Sequence, residues 1–178
     1  MILCDKSILK EIKGGNIFVA PFKEENIQPA SIDITIGNKY LIPLCEKNVY
    51  HIATDKMKYT EYVADEYALE PHSFVLATTK EIIEIGPNIS AWVDGRSSIG
   101  RIGLFIQNAG WIDPGFKGTI TLELYNATNQ TIIIPSGMRV GQIIFAYLDK
   151  PCENPYNGKY QHQLGTIGSK IDEDFKGE

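Results

Sequence analysis

The stretch Thr119-Ile120-Thr121-Leu122-Glu123-Leu124-Tyr125 alternates polar and apolar residues without a break. Because successive side chains of a β-strand point to opposite faces, this period of two predicts a strand with one buried face. Its isoleucine and leucines share the apolar face, whereas Glu123 lies on the other face with the threonines and Tyr125. The stretch therefore predicts a sheet that presents a glutamate on its less apolar side.

Further segments with strand character lie on both sides of this stretch and are bounded by Gly, Pro and Asn. They are residues 31–36, 39–42, 73–79, 81–85, 91–93, 131–134 and 142–146. Many short strands at such spacing indicate an all-β sandwich or barrel. Residues 46–66 are polar and irregular, and we expect a long loop or flap there.

The two ends of the chain differ in character from this β-rich middle. Asp5 is expected to cap a short helix over residues 6–13, which Gly14 and Gly15 would end. From about residue 152 to 178 the chain is polar and glycine-bearing, which indicates an extended C-terminal arm. A length of 178 residues suits a single domain over residues 1–178 that includes this arm.

Composition excludes several classes of function. The formal net charge of -5 argues against a general affinity for nucleic acid, which needs an extended basic face. No apolar run reaches the roughly 18 residues of a membrane span, and no secretory signal is visible. Cys4, Cys45 and Cys152 are widely spaced, so we interpret them as small buried apolar residues of a cytoplasmic protein.

Asp94-Gly95-Arg96-Ser97-Ser98-Ile99-Gly100-Arg101 concentrates groups that bind phosphate. A guanidinium grips phosphate oxygens with two hydrogen bonds, and backbone N–H groups with serine hydroxyls at a turn can form an anion-binding nest. The alternative is a surface turn with two solvated arginines. A phosphate ligand would bring its own divalent metal, which lets a local cationic cluster suffice in an acidic protein.

Glu123 and Asp113 are the carboxylates with the most chemical interest. In a partly closed pocket Glu123 would suit proton transfer, whereas the alternative is a strand glutamate that faces solvent. Asp113 begins an Asp-Pro-Gly turn, where it bonds its own backbone, accepts a ligand hydroxyl or holds a water. Trp111, two residues earlier, either packs against the protein or covers a nucleobase.

A resident metal has little support in the sequence. His51, His72 and His162 share no spacing with the cysteines, and no C-x-x-C pair is present. The upstream histidine and paired cysteines of zinc deaminases are therefore missing. A serine hydrolase is not supported either, because Ser97 and Ser98 lack the glycines of a nucleophile elbow.

Several motifs, in order, resemble the dCTP deaminases, which belong to the trimeric dUTPase superfamily. They are Leu3-Cys4-Asp5, residues 28–33, 74–79 and 95–105, Ala109-Gly110-Trp111-Ile112-Asp113-Pro114-Gly115-Phe116-Lys117-Gly118, residues 120–126 and 137–142, and the arm from Pro155 to Gly165. Motifs in one order over nearly the whole chain are far more specific than any one of them.

The resemblance implies a mainly β fold, a distorted β-barrel or jelly-roll of the dUTPase-like type with a short N-terminal helix. It also implies a cytoplasmic homotrimer with active sites at the subunit interfaces. The substrate would be a nucleoside triphosphate, dCTP or dUTP, bound with Mg²⁺, and deamination would proceed without zinc. A nucleic acid or a membrane is not expected as a partner.

The resemblance also assigns roles to individual residues. Glu123 matches the catalytic glutamate that takes a proton from water and delivers it toward the leaving ammonia. The residues around the phosphates would be Arg96, Ser97, Ser98, Ile99, Gly100 and Arg101. Asp113 would meet the 3′-hydroxyl of the deoxyribose, and Thr121 and Leu122 would lie beside the base through their backbone. The residues that close over the triphosphate would be Gln142, Tyr156, Lys159 and Gln163.

The family has a branch that releases dUTP and a bifunctional branch that continues to dUMP and pyrophosphate. Ala109-Gly110-Trp111-Ile112-Asp113 resembles the A-G-x-I-D element of dUTPases and of the bifunctional branch. By this resemblance, Gly110 leaves room for a water near the α-phosphate, which Asp113 and Gln142 would hold. The segment 106–109 is one residue shorter than in many members. A deaminase that releases dUTP, a dUTPase, a nucleotide-binding regulator without catalysis and a β-sandwich that binds a protein therefore remain alternatives.

Overall fold

The computed structural model describes residues 1–106 and 110–175, which form mainly short β-strands. The helical elements are α1 (Asp5–Lys13) and α2 (Ser97–Gly100), with 3₁₀ turns at Glu24–Asn26 and Ile171–Glu173. The strands are β1 (Ile17–Ala20), β2 (Ile27–Gln28), β3 (Ser31–Thr35), β4 (Lys39–Pro43), β5 (Tyr59–Val63), β6 (Glu66–Leu69), β7 (Phe74–Thr78), β8 (Ile82–Ile85), β9 (Ile89–Gly95), β10 (Leu104–Ile106), β11 (Trp111–Ile112), β12 (Lys117–Gly118), β13 (Thr121–Asn126), β14 (Ile132–Pro135) and β15 (Arg139–Tyr147).

Two five-stranded antiparallel sheets dominate the described residues. Their strand orders are β10-β13-β7-β4-β5 and β11-β9-β15-β3-β2, and smaller sheets of order β1-β8-β12 and β14-β6 complete the architecture. Isoleucine, valine and leucine side chains from both large sheets form one buried core. The prediction of a mainly β, jelly-roll-like fold with a short N-terminal helix is confirmed, and the sheets of the described residues form no closed barrel.

Helix α1 begins one residue earlier than expected. Cys4 occupies the cap position without a side-chain hydrogen bond, and Asp5 is the first helical residue. The carboxylate of Asp5 accepts a hydrogen bond from the backbone N–H of Lys6, so the prediction that Asp5 is the cap is wrong. Gly14 ends the helix as predicted.

Strand β13 has the alternation that the sequence predicts, with Leu122 and Leu124 fully buried and Glu123 half-buried. It lies between β10 and β7, and Glu123 pairs with Leu76 of β7. This central position in the sheet holds Glu123 on a rigid element.

Strand β3 departs from the simple alternation, because all five of its residues are buried. Its polar side chains have polar partners from distant parts of the chain. Thr35 donates its hydroxyl proton to Glu81 over 2.7 Å, and Asp33 faces two arginines. Buried polar groups are tolerated where such partners satisfy them.

Two further expectations are wrong. The expected loop over residues 46–66 contains β5, which pairs with β4 at the edge of its sheet. Four of the five β5 residues are exposed, so the strand carries no apolar pattern to reveal it. The cysteines are also not buried: Cys4 and Cys45 are exposed and Cys152 is half-buried, and all three are free thiols.

The C-terminal segment lies along the domain through backbone hydrogen bonds. The N–H of His162 donates to Lys117 over 2.8 Å, and the N–H of Thr119 donates to Gln163 over 2.9 Å. Gly118 has a φ of +147°, and a Cβ there would lie 2.6 Å from the carbonyl oxygen of Gln163. Only glycine therefore permits this close approach of the segment to β12.

Candidate active site

A cavity of about 490 Å³ lies between β7, β13, the turn that follows β11 and the C-terminal segment. Its lining includes Asp113, Thr121, Glu123, Tyr156 and Gln163. Five residues that the sequence nominated from separate parts of the chain therefore meet in one concave site, as expected of a ligand pocket.

Glu123 is half-buried and reaches this cavity from the middle of β13. The structure thus favours the enclosed position over one that simply faces solvent. Leu122, its neighbour, is fully buried on the opposite face. Leu122 is absent from the cavity lining, so its side chain supports β13 from the core.

Asp113 begins a four-residue turn that the sequence encodes locally. The N–H of Phe116 donates to the carbonyl of Asp113 over 3.1 Å, and Gly115 at the third position has a φ of +87°. Proline second and a positive-φ glycine third are the pattern of a type II turn. The turn is anchored because the N–H of Gly115 donates to Ile85 over 3.1 Å.

Trp111 contacts the same carboxylate. Its indole Nε1 donates to Oδ1 of Asp113 over 2.9 Å. Both side chains line the cavity. The two alternatives for Trp111, packing in the protein or covering a base, did not include this hydrogen bond.

The C-terminal segment closes one side of the cavity. The N–H of Ile167 donates to the hydroxyl of Thr121 over 3.2 Å, and the N–H of Ser169 donates to Tyr59 over 3.1 Å. Gln163 donates its side-chain amide to the carbonyl of Thr119 over 2.7 Å. Strands β5 and β13, together with Thr119, therefore hold the segment across the cavity.

Lys159 stands apart from the other nominated residues of this segment. Its Nζ lies 2.6 Å from Oδ1 of Asp174, and that hydrogen bond and charge raise the pKa of Lys159 above its usual value. Lys159 is absent from the cavity lining, so the structure does not bring it together with Glu123.

The run from Asp94 to Arg101 forms the end of β9 and the short helix α2. Ser97, Ser98, Gly100 and Arg101 are exposed, whereas Ile99 is buried. None of residues 96–101 lines the cavity. Within one chain, the nominated phosphate-binding residues and Glu123 therefore occupy different sites.

Arg96 instead belongs to a second group, the arginine cluster, formed by Asp33, Arg96, Arg139 and Gln142. Oδ2 of Asp33 lies 3.5 Å from Nε of Arg96 and 3.2 Å from Nη1 of Arg139. Gln142 pairs with Asp33 on β3, and its Oε1 accepts a hydrogen bond from Ser31 over 2.9 Å. A carboxylate shared by two guanidiniums fixes both of them while leaving a net positive charge.

Sequence reasoning did not nominate Asp33 and Arg139 as site residues. The two are 106 positions apart and meet only because β3 pairs with β15. A local signal is the charge of Asp33 between Ile32 and Ile34, because a charge that is buried in a strand needs a partner.

Residues 1–106 and 110–175 contain neither a metal-binding cluster nor a membrane-spanning helix. No three His, Cys, Asp or Glu side chains there form a group that could hold a metal ion. The same residues include no helix with the length and apolar character to cross a membrane.

A family model described as dCTP deaminase-like matches residues 2–148. The chain belongs to the dCTP deaminase-like family. The resemblance noted in the sequence is thereby confirmed. Of the shortened segment 106–109 only Ile106 is among the described residues, so the expectation about that segment lies outside them.

Relatives of this dCTP deaminase-like chain match it from end to end. A protein from Persephonella marina named "dCTP deaminase, dUMP-forming" is 43% identical over 175 residues, which cover 96% of this chain and 97% of the relative. A protein of the same name from Aquifex aeolicus is 44% identical over 183 residues and is covered completely, as is this chain.

A solved structure also shares the fold of this dCTP deaminase-like chain. It is the 2′-deoxycytidine 5′-triphosphate deaminase of Agrobacterium tumefaciens, with a TM-score of 0.64 and 23% identity. The match covers 81% of this chain and 47% of that longer chain. At this identity the similarity concerns the fold alone.

Proposed function

We propose that the protein converts dCTP to dUTP and ammonia, and then dUTP to dUMP and pyrophosphate. The observation that carries the proposal is the half-buried Glu123 in a cavity that also holds Asp113 and the C-terminal segment. Two full-length relatives that bear the dUMP-forming name support the same activity.

In the deamination, Glu123 acts as general base and then as general acid. Neutral water is a weak nucleophile, so a positioned carboxylate must take its proton as the oxygen bonds to C4 of cytosine. One water proton ends on N3, and the other moves to the exocyclic nitrogen. The C4–N bond then breaks, ammonia departs, and the C4 carbonyl forms. No zinc takes part in this scheme.

The phosphates are bound by Arg96, Ser97, Ser98 and Arg101, with the backbone of Ile99 and Gly100. Guanidinium and hydroxyl donors fit phosphate oxygens rather than a metal cation. Mg²⁺, when bound, would be held by the phosphate oxygens of the nucleotide and would neutralise part of their charge. Tyr156 and Gln163 cover the nucleotide, and Lys159 can reach a phosphate only by leaving Asp174.

The proposed sites lie between subunits of a homotrimer. The separation of the two groups supports this arrangement, since residues 96–101 lie outside the cavity that contains Glu123. A neighbouring subunit supplies the cationic residues to each cavity in this arrangement. We place this enzyme of nucleotide metabolism in the cytoplasm.

The second step needs a water beside the α-phosphate. Gly110 precedes the cavity residue Trp111 and carries no side chain that would fill the space. Asp113 and Gln142 are the groups proposed to hold that water. Because Gln142 lies in the arginine cluster of its own chain, this step also depends on the neighbouring subunit.

The test is to incubate the purified protein with dCTP and millimolar Mg²⁺ and to separate the products. Ammonia with dUMP and pyrophosphate supports the bifunctional enzyme. Release of dUTP alone identifies the deaminase without the second step, and cleavage of dUTP without use of dCTP identifies a dUTPase. Binding of dCTP without turnover would contradict the enzymatic function and would identify a nucleotide-binding regulator.

Glu123→Gln tests the assigned base. The amide keeps the shape but cannot accept the proton, so we expect ammonia release to fall by about 10³-fold, within the range of general acid–base catalysis. Glu61→Gln is the matched control, because Glu61 pairs with Lys39 at the exposed edge of the sheet. Equal activity of the two variants would remove Glu123 from the mechanism.

A further inference from the structure

Trp111 has an environment that core packing does not explain. It lies on the two-residue strand β11, where its neighbour Ile112 is 4% exposed and fills the core. Trp111 itself keeps 61% of its surface exposed. Tryptophan usually stabilises a protein through the large area that it buries, and here most of that area is left in solvent.

The side chain of Trp111 makes a hydrogen bond to Asp113, and both residues line the cavity. Its indole N–H donates to Oδ1 of Asp113 over 2.9 Å, two residues along the chain. An indole N–H can only donate, so Trp111 is always the donor of this hydrogen bond and Asp113 is always the acceptor. With Oδ1 engaged, the carboxylate is held in one rotation, and Oδ2 becomes the oxygen that can accept from a ligand.

The backbone around Asp113 is fixed independently of this bond. Gly115 donates its N–H to Ile85, and Tyr156 donates its N–H to Pro114 over 2.8 Å. The turn therefore sets where the Cα of Asp113 lies, whereas Trp111 sets how its carboxylate is rotated. Oriented acceptors discriminate strongly between ligands that carry a hydroxyl and ligands that lack it.

We propose that Trp111 is a positioning residue for Asp113, through which the site selects nucleotides that carry a 3′-hydroxyl. The inference rests on the proposed function and on the family resemblance, which places Asp113 at the 3′-hydroxyl of the deoxyribose. It adds a residue that acts through Asp113 and leaves the deamination chemistry itself unchanged, because Trp111 does not touch the reacting C4 in this scheme.

Trp111→Phe keeps an aromatic ring and removes the donor. Each variant is assayed with dCTP and with 2′,3′-dideoxy-CTP, which lacks only the 3′-hydroxyl. We expect the wild-type preference for dCTP, measured as a ratio of kcat/KM, to fall about tenfold in Trp111→Phe. The loss comes from a higher KM for dCTP, while kcat/KM for the dideoxy nucleotide changes less than about twofold.

Trp92→Phe is the matched control. Trp92 pairs with Trp111 across β9 and β11, is half-buried and lies outside the cavity lining. We expect it to retain the wild-type preference. An equal loss for both nucleotides in Trp111→Phe, or an equal loss of preference in Trp92→Phe, would overturn the positioning role and leave the deaminase intact.

A second measurement does not depend on the folding of Trp111→Phe. The chain has two tryptophans, so Trp92→Phe leaves Trp111 as the sole indole reporter. We expect dCTP to change the emission of Trp111 and the dideoxy nucleotide to change it much less. Equal changes would overturn the inference, whereas wild-type protein that releases no ammonia from dCTP would overturn the proposed function itself.

Discussion

Gly118→Ala should release the C-terminal segment from the domain while the core remains folded. The added Cβ would lie 2.6 Å from the carbonyl oxygen and 3.0 Å from the nitrogen of Gln163. Both atoms belong to the backbone, so no side-chain rotation can relieve the overlap. The φ of +147° also disfavours any residue with a Cβ.

The size of the effect follows from the hydrogen bonds that the displacement breaks. They are Thr119 N–H to Gln163 O at 2.9 Å, His162 N–H to Lys117 O at 2.8 Å and Gln163 Nε2 to Thr119 O at 2.7 Å. Each contributes about 1 kcal/mol net. Opening of the segment should become easier by about 3 kcal/mol, which is roughly a 100-fold change in its equilibrium.

Amide hydrogen exchange measures this equilibrium residue by residue. In Gly118→Ala we expect the amides of His162 and Ile167 to exchange roughly 100-fold faster, whereas the amide of Leu124 in the core keeps its protection. Gly137→Ala is the control, because Gly137 also has a positive φ of +80° but has no atom within 4 Å of the added Cβ. Unchanged exchange at His162, or the same acceleration in the control, would refute the reasoning.

Two further variants test the buried polar groups. Tyr147→Phe removes the hydroxyl that donates to Glu11 over 2.8 Å and is the main cause of its lowered pKa. That stabilisation exists above the unfolded-state pKa of 4.5 and is lost as the pH falls through the lower folded-state pKa. We expect the melting temperature of Tyr147→Phe to lie about 3 °C below that of the wild type at pH 7, and the two melting temperatures to converge in acid. A difference that does not depend on pH would contradict this. Asp33→Asn should lower the free energy of unfolding by about 2 kcal/mol in urea titrations, because two partly exposed guanidiniums lose their carboxylate. The exposed control Asp94→Asn should change it by less than about 0.5 kcal/mol, and equal effects would contradict the role of Asp33.

Local patterns were sufficient where one face of a strand is buried. The alternation from Thr119 to Tyr125 predicted β13 and the face that carries Glu123, and Asp-Pro-Gly predicted the turn at Asp113. Strand β5 escaped detection because an exposed edge strand needs only backbone pairing, which leaves no apolar period in the sequence.

Long-range contacts were beyond local patterns. Asp33 is buried because β15 brings Arg139 to it from 106 residues away, and no spacing in the sequence encodes that approach. The cavity was anticipated through Glu123, Asp113 and Gln163, whereas the separation of residues 96–101 from it depends on how the two large sheets are arranged. The indole bond of Trp111 depends on a side-chain rotation that composition does not determine.

The turn at Asp113 is hydrogen-bonded to β8 through Gly115 and to the C-terminal segment through Pro114. Its shape is thus a joint property of three regions that are distant in the sequence. A chimera that receives residues 110–118 alone would inherit the turn sequence without the Tyr156 N–H that restrains it. The smallest transplantable unit includes Pro155 and Tyr156, so engineering of this loop and of the C-terminal segment must proceed together.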